Sequence, residues 1–349
     1  MSQTFAIAGR AIGPDQPPYV IAEMSGNHNG DIQRAFALIE AAAEAGADAV
    51  KLQTYTADTI TIDHDGPGFL IEGGLWDGRR LYELYQEAHT PWDWHPRLFD
   101  KAREMGITAF SSPFDPTAVA FLDTLGAPAF KVASFELVDT PLIGCMARTG
   151  KPLILSTGLA SPEDIADAVA AARADGAGQM VLLHCTSGYP TPPSQMHLRT
   201  MADLGARHGT LVGLSDHSMG TAVSVAAVAL GACVIEKHFT LARADGGPDS
   251  AFSLEPDELA RLVADCRGAW EALGGVHYEE VEAEKASREH RRSLYVVADV
   301  AAGEPLTEAN VRSIRPGHGM APKHLFEVLG RKASRDLKRG EPLAWGLVE

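Results

Sequence analysis

The sequence predicts an α/β protein: a (β/α)₈ barrel of the TIM type followed by a small C-terminal unit. Over about 250 residues, eight strand-like runs alternate with Ala-rich segments of helical spacing, and parallel strands need such helical crossovers. Each run also begins apolar and ends polar, as expected of strands whose C-terminal ends gather at the mouth of one barrel.

In chain order the runs are "YVIAEM" (19–24), "AVKLQT" (49–54), "TAFSSP" (108–113), "AFKVAS" (129–134), "LILST" (153–157), "MVLLHCT" (180–186), "LVGLSDH" (211–217) and "CVIEKHFT" (233–240). Between them, "DIQRAFALIEAAAEAGA" (31–47), "PTAVAFLDTLGA" (116–127) and "SPEDIADAVAAARADGA" (161–177) read as helices with acidic residues in the first turn, where they complement the helix dipole. Residues 55–95 are too long for an ordinary βα loop and hold three of the five tryptophans. They read as a lid or wall over the mouth, or as an oligomer contact. After the eighth unit, the charged stretch 276–292 reads as a helical linker with a solvated face. The barrel unit is taken as 1–283, the linker as 284–292 and a compact tail as 293–349, with short strands, Gly/Pro turns and one or two short helices. At about 55 residues the tail is marginal as an independent domain.

The 349 residues carry 30 Lys plus Arg against 46 Asp plus Glu, a net charge of −16. That argues against nucleic-acid or anionic-membrane partners, so an anionic substrate needs a local basic pocket. The N-terminal stretch lacks a basic region followed by a long apolar one, and no apolar run reaches membrane-spanning length. A soluble cytoplasmic protein is the expectation. The four cysteines, Cys145, Cys185, Cys233 and Cys266, are widely spaced and read as reduced thiols.

The polar run ends hold the candidate chemistry: Glu23, Lys51, Gln53, Ser111, Ser112, Lys131, Ser134, Ser156, His184, Ser215, His217, Lys237 and His238. A lone histidine in a strand is ordinarily a hydrogen-bonded structural residue. His217 and His238, however, end the seventh and eighth runs, and two imidazoles on adjacent strand ends suit a catalytic divalent ion such as Mn²⁺, Co²⁺ or Mg²⁺, with positions left for substrate and water. Lys51 and Lys131, with Lys237 as a further candidate, stand among serines. Ammonium groups among hydroxyls favour a phosphate or carboxylate cradle over a Schiff-base lysine, which wants desolvation and a single partner. Glu23, Glu136 and Asp249, with Gln53 and Tyr189, suit a polyol or proton transfer, and spacing alone does not divide these roles.

Taken in order, "IAEMSGNHNGD", "ADAVKLQTYTAD", "FSSPFD", "KVASFE", "STG", "HCTSGYPTP", "GLSDHS", "EKHFT" and the later "SIRPGHGMAPKHL" resemble the nonulosonic (sialic) acid synthase family over nearly the whole chain. The resemblance implies a barrel joined to an antifreeze-like (SAF) domain, a condensation of phosphoenolpyruvate with an amino sugar, and a domain-swapped homodimer. It also implies roles: His217 and His238 for the metal, and Lys51, Ser112, Lys131, Ser134, Ser156 and Ser215 for phosphoenolpyruvate. Gln53, Glu136, Tyr189 and Asp249 would hold the sugar, Arg315 would come from the partner's tail, and Glu23 would stand near the reacting centre. Where the sialic branch often carries asparagine after "HCT", this chain has Ser187, a changed phosphoenolpyruvate contact.

The stretches "GGLWDGRRLYELYQEAHTPWDWH" and "GPDSAFSLEPDE" are similar to the pseudaminic branch, which uses 2,4-diacetamido-2,4,6-trideoxy-L-altrose. The Trp-containing insertion offers this less polar sugar a surface. The resemblance then implies attack of phosphoenolpyruvate C3 on the sugar aldehyde, addition of water at C2, and C–O cleavage to a 2-keto acid and phosphate. Glu23 or Glu136 would steer the protons. The sialic and legionaminic branches share these residues, and a carbohydrate-binding barrel is the non-enzymatic alternative.

Overall fold

A computed structural model describes residues 5–349; residues 1–4, where the N-terminal stretch read for a leader begins, lie outside the described residues. The chain divides into two compact units, Met1–Gly274 and Gly275–Glu349.

The first unit opens with an antiparallel hairpin, β1 (Phe5–Ile7) and β2 (Arg10–Ile12), turned through Ala8 and Gly9, both at positive φ. Eight parallel strands follow: β3 (Tyr19–Glu23), β4 (Ala49–Thr54), β5 (Thr108–Pro113), β6 (Phe130–Val132), β7 (Leu153–Ser156), β8 (Met180–Cys185), β9 (Leu211–Asp216) and β10 (Val234–His238). They close in sequence order, β10 returning to pair with β3, so each of the eight expected runs is a barrel strand. The fourth is shortened because Ser134–Glu136 turns off as a 3₁₀ helix.

The crossover helices are α1 (Ile32–Glu44), then, after α2 (Ala57–Ile60) and α3 (Leu81–Ala88) of the insertion, α4 (His95–Met105), α5 (Pro116–Thr124), α6 (Thr140–Ala147), α7 (Pro162–Ala174), α8 (Thr200–His208), α9 (Ala222–Ala229) and α10 (Pro256–Leu273). In α7, Glu163 and Asp164 occupy the first turn, with Asp164 closing a capping box on Ser161. In α1 and α5 the acid is instead the N-cap itself: Asp31 accepts from Gln33 N, and Asp115 from Thr117 N.

Two cores result. Apolar side chains on the outside of the strands, such as Val50, Leu52, Leu182, Leu214 and Ile235, pack against the helices. Inside, Tyr19, Ile21, Ala49, Phe110, Ala129, Ile154, Val181, Leu183 and Val234 cluster with Phe5, Ile7 and Ile12 of the hairpin. The hairpin therefore plugs the N-terminal end, and the cavity lies toward the other.

The second unit pairs β11 (Ser293–Val296) with β12 (Val311–Ile314). Around them Leu294, Val296, Val300, Leu306, Val311, Val328, Leu337 and Leu343 are buried as a small core, with one helical turn at α12 (Leu325–Val328), preceded in the chain by α11 (Glu282–Lys285). The helix expected over 276–292 is only that single turn α11 and a 3₁₀ turn at Arg288–His290, exposed throughout. With no apolar face to dock, so short a segment does not hold helix. All four cysteines are free thiols, and no helix among the described residues is long and apolar enough to cross a membrane.

Candidate active site

Side chains alternate in and out along a strand, so every second residue of β3–β10 faces the barrel interior. Above the apolar floor this produces a polar layer with one residue from each strand: Glu23, Lys51, Ser112, Lys131, Ser156, Cys185, Ser215 and Glu236, all buried. Six of them, all but Ser112 and Cys185, line a cavity of about 520 Å³.

Contacts within the layer are ionic. Lys51 Nζ lies 2.9 Å from Glu23 Oε2 and 3.3 Å from Glu236 Oε1, and donates to Ser112 Oγ at 3.3 Å. Lys131 Nζ donates to Ser156 Oγ at 2.7 Å and stands 3.9 Å from Glu236 Oε1, which also accepts from Ser215 Oγ at 3.3 Å. Burial would lower the Lys51 ammonium, but Glu23 and Glu236 together hold it above its ordinary value. Lys131 is pulled down to about 8 by burial, only partly offset by Glu236. Burial alone would raise Glu236, yet the two lysines keep it ionised below the usual carboxyl range. Glu23 is pushed up by burial despite Lys51. The least compensated charge is therefore the Lys131 ammonium, beside Ser156, where an anion would gain most.

One step nearer the mouth stand Gln53, His217 and His238. Gln53 Nε2 donates to Glu23 Oε1 at 2.8 Å. The two imidazoles lie 5.4 Å apart between ring centroids. His217 Nδ1 donates to Thr186 O at 3.0 Å, which leaves Nε2 as the nitrogen available to an ion; burial would lower this imidazole, but Cys185 and the Thr186 carbonyl outweigh it and raise it above its ordinary value. His238 Nδ1 is buried without a hydrogen-bond partner, and burial, then the charges of His217 and Lys51, hold this ring neutral. Two imidazole nitrogens, one without any protein partner, fit a divalent ion, with loss of any proton on His217 as it binds. No cluster of three or more His, Cys, Asp and Glu arranged for an ion occurs among the described residues, so such an ion would take its other ligands from water and substrate.

The upper cavity changes character. Tyr189 packs on His217 at 4.4 Å and faces Trp76 at 5.6 Å, while Trp76 Nε1 donates to Pro248 O at 2.9 Å. From the insertion come Tyr55, Ile60, Ile71, Trp76, Leu81, Leu84, Tyr85 and Ala88, without one charged or amide side chain. The insertion is thus the cavity's apolar wall, as one of the two sequence readings had it. Glu136 also lines the cavity, with Oε2 buried and unpartnered, and burial raises this carboxyl to about 7. Asp249, also lining, accepts from Ser25 Oγ and is raised by burial. Ser134 Oγ accepts from Gly158 N at 3.1 Å. Any Cβ at Gly158 would come within 2.3 Å of Ser187 Oγ and 2.7 Å of Ser134 Oγ, so the two hydroxyls can converge only over a glycine.

Three residues read as facing the mouth do not. Lys237 turns outward to Asp216 at 2.8 Å, Ser111 to Thr54 at 2.6 Å, and His184 to Met196 O at 2.5 Å. Each is one residue out of phase with the inward set. Ser112 accepts from Lys51 outside the cavity lining, and Ser187 lies beside Cys185, 3.8 Å away, likewise outside it. Arg315 is exposed on the second unit. Two inward residues were not singled out: Glu236 as a direct partner of both lysines, and Cys185, whose Sγ is 3.8 Å from His217 Nδ1. Burial raises that thiol, but His217 outweighs it and brings it to about 7. Counting strictly in twos back from His238 would have found Glu236; on β8 the reading of His184 as inward hid Cys185, the next residue.

Comparison with known proteins agrees with this geometry. A sequence model of the NeuB family matches residues 38–278, and one of the SAF domain matches residues 291–349. A pseudaminic acid synthase of Campylobacter jejuni is 44% identical over 332 residues, covering 95% of this chain and 97% of that protein. One of Helicobacter pylori is 43% identical, covering 96% and 98% respectively. Among solved structures, an N-acetylneuraminic acid (sialic acid) synthetase of Leptospira borgpetersenii in complex with citrate superposes with a TM-score of 0.72 at 31% identity, over 82% of this chain and 95% of that one. On the family match, the length of these alignments and the closed eight-stranded barrel, the chain belongs to the NeuB family.

Proposed function

We propose that this chain is a pseudaminic acid synthase, condensing phosphoenolpyruvate with 2,4-diacetamido-2,4,6-trideoxy-L-altrose and releasing phosphate. Its support is whole-length similarity to enzymes of that name, and the observation that carries it is the polarity gradient of the cavity. A lysine–serine floor suits a small polyanion, whereas the wall from the insertion is aliphatic and aromatic, with no charged or amide side chain. A 6-deoxy sugar bearing acetamido groups loses least against such a wall.

The residues then divide the work. Lys51, Lys131, Ser134, Ser156 and Ser215 hold the phosphate and carboxylate, and so aim C3 at the sugar aldehyde. His217 and His238 would hold a divalent ion, Mn²⁺, Co²⁺ or Mg²⁺, which when bound supplies Lewis-acid polarisation at the aldehyde oxygen. Gln53, Tyr189 and Asp249 orient the sugar. Glu23 is occupied by Lys51 and Gln53, so Glu136, with a free oxygen, takes the proton from the water that adds at C2. The reading includes a cytoplasmic enzyme, in keeping with four free thiols. It also includes a domain-swapped homodimer in which Arg315 serves the partner's barrel.

The test is phosphate release from phosphoenolpyruvate with Mn²⁺, comparing the diacetamido-trideoxy altrose with N-acetylmannosamine and the legionaminic precursor. Release with the altrose sugar alone, abolished by chelation, is expected. Release only with another sugar moves the chain to another branch, and no release with any overturns the assignment.

A further inference from the structure

The proposed mechanism makes no use of Lys237 and Asp216, yet they form the most enclosed ion pair in the barrel, with side chains 1% and 0% exposed. They are register partners on β10 and β9, and theirs is the last rung of that ladder toward the mouth. The next residue on each strand is a histidine of the proposed metal pair. His217 already lies beyond the end of β9, so no further strand pairing with β10 fixes its distance from His238.

The contacts of the pair bracket His217. Asp216 Oδ1 accepts from Ser218 N at 2.8 Å and from Ser218 Oγ at 2.7 Å, closing a turn with His217 at its apex. Asp216 Oδ2 accepts from Ser224 Oγ of α9 at 2.6 Å and faces Lys237 Nζ at 2.8 Å. Lys237 Nζ also donates to Ser218 O, on the far side of the same turn. One ammonium from the β10 residue before His238 therefore holds both shoulders of His217. Since His238 Nδ1 has no hydrogen-bond partner, no bond at that atom orients its ring.

A buried ion pair is a poor source of stability, because desolvation cancels most of the attraction and apolar substitutes often do as well. Its specific effect is geometric. We propose that Lys237 and Asp216 are positioning residues that set the spacing of His217 and His238 for a divalent ion. The proposal rests on the two-histidine metal reading given above.

The test uses the full chain, with Mn²⁺ affinity measured by calorimetry and phosphoenolpyruvate affinity measured separately without metal. For Lys237→Met, Mn²⁺ binding is expected to weaken about tenfold or more, the range typical of residues that orient metal ligands. Phosphoenolpyruvate affinity should stay within about twofold, because the lysine–serine floor is untouched. Lys237→Arg should restore part of the loss. If Lys237→Met does not fold, Asp216→Asn/Lys237→Met leaves no lone buried charge and takes its place. Unchanged Mn²⁺ affinity in a folded variant overturns the proposal, as does a parallel loss of both affinities or failure of both variants to fold. If the wild-type chain binds no Mn²⁺, the metal reading itself fails and this inference with it, an outcome separable from the others by the wild-type titration alone.

Discussion

Glu136 and Lys131 are the side chains whose charge the barrel interior bends most usefully. Burial raises Glu136 to about 7, from an ordinary 4.5. The folded chain therefore binds this proton where the unfolded chain has released it. The associated stability is fully present below about pH 4.5 and lost as pH rises through 7. Glu136→Gln removes the dependence, so thermal melts at pH 5 and pH 8 should show the variant gaining on the wild type at the higher pH. As the proposed base, the same carboxyl must ionise to act: turnover should climb between pH 6 and 8, and Glu136→Gln should lower kcat about 100-fold or more with little change in KM for phosphoenolpyruvate. Lys131 moves the other way. At about 8, its ammonium is lost in the free chain above that pH, so KM for phosphoenolpyruvate should rise by about tenfold per unit there. Initial rates at pH 7, 8 and 9 measure this, and a flat KM would mean that Lys131 does not carry the anion.

At the scale of elements, the insertion between β4 and α4 decides what the cavity accepts. It is anchored at its C-terminal end, where His95 Nε2 shares a hydrogen bond with Thr54 Oγ1 of β4 at 2.8 Å. Further up, Trp76 braces it to Pro248 O and the Tyr189 ring. Trp76→Ala should raise KM for the sugar about tenfold, the scale of a lost aromatic contact, while KM for phosphoenolpyruvate holds; equal changes in both would assign Trp76 to general closure of the mouth. An apolar wall rejects an added hydroxyl only weakly, by about 100-fold at most. The eight strands were legible because each run switches from apolar to polar at its end, and the histidines because they close adjacent runs. The direction of each side chain needed strict counting in twos: Lys237 looked like a cavity residue until β10 was seen to alternate Glu236 in, Lys237 out, His238 in. The hairpin β1–β2 was not legible, since "FAIAGRAI" is too short to separate from a loop, and it is held by burial of Phe5, Ile7 and Ile12 on the barrel floor. Nor did charge spacing over 276–292 reveal that a helix there has nothing to pack against.

For the whole molecule, the two units carry separate apolar cores, one layered in and around the barrel and one in the tail. The tail's function was legible only through its resemblance, because Arg315 is exposed and an exposed arginine does not betray its role by itself. The proposed homodimer gives that role a sharp consequence. If each tail serves the other subunit's barrel, a complete site needs His217 from one chain and Arg315 from its partner. His217→Ala and Arg315→Ala homodimers would each lack one of the two at both sites. A heterodimer of the two variants would have one dead site and one with both native residues. Random exchange makes half of the dimers heterodimers, each half active, so mixing the two inactive proteins should recover about a quarter of wild-type activity. If the tail served its own barrel, or none, every site in the mixture would still lack a native residue or would never have needed Arg315. Mixing would then recover nothing beyond the average of the two variants.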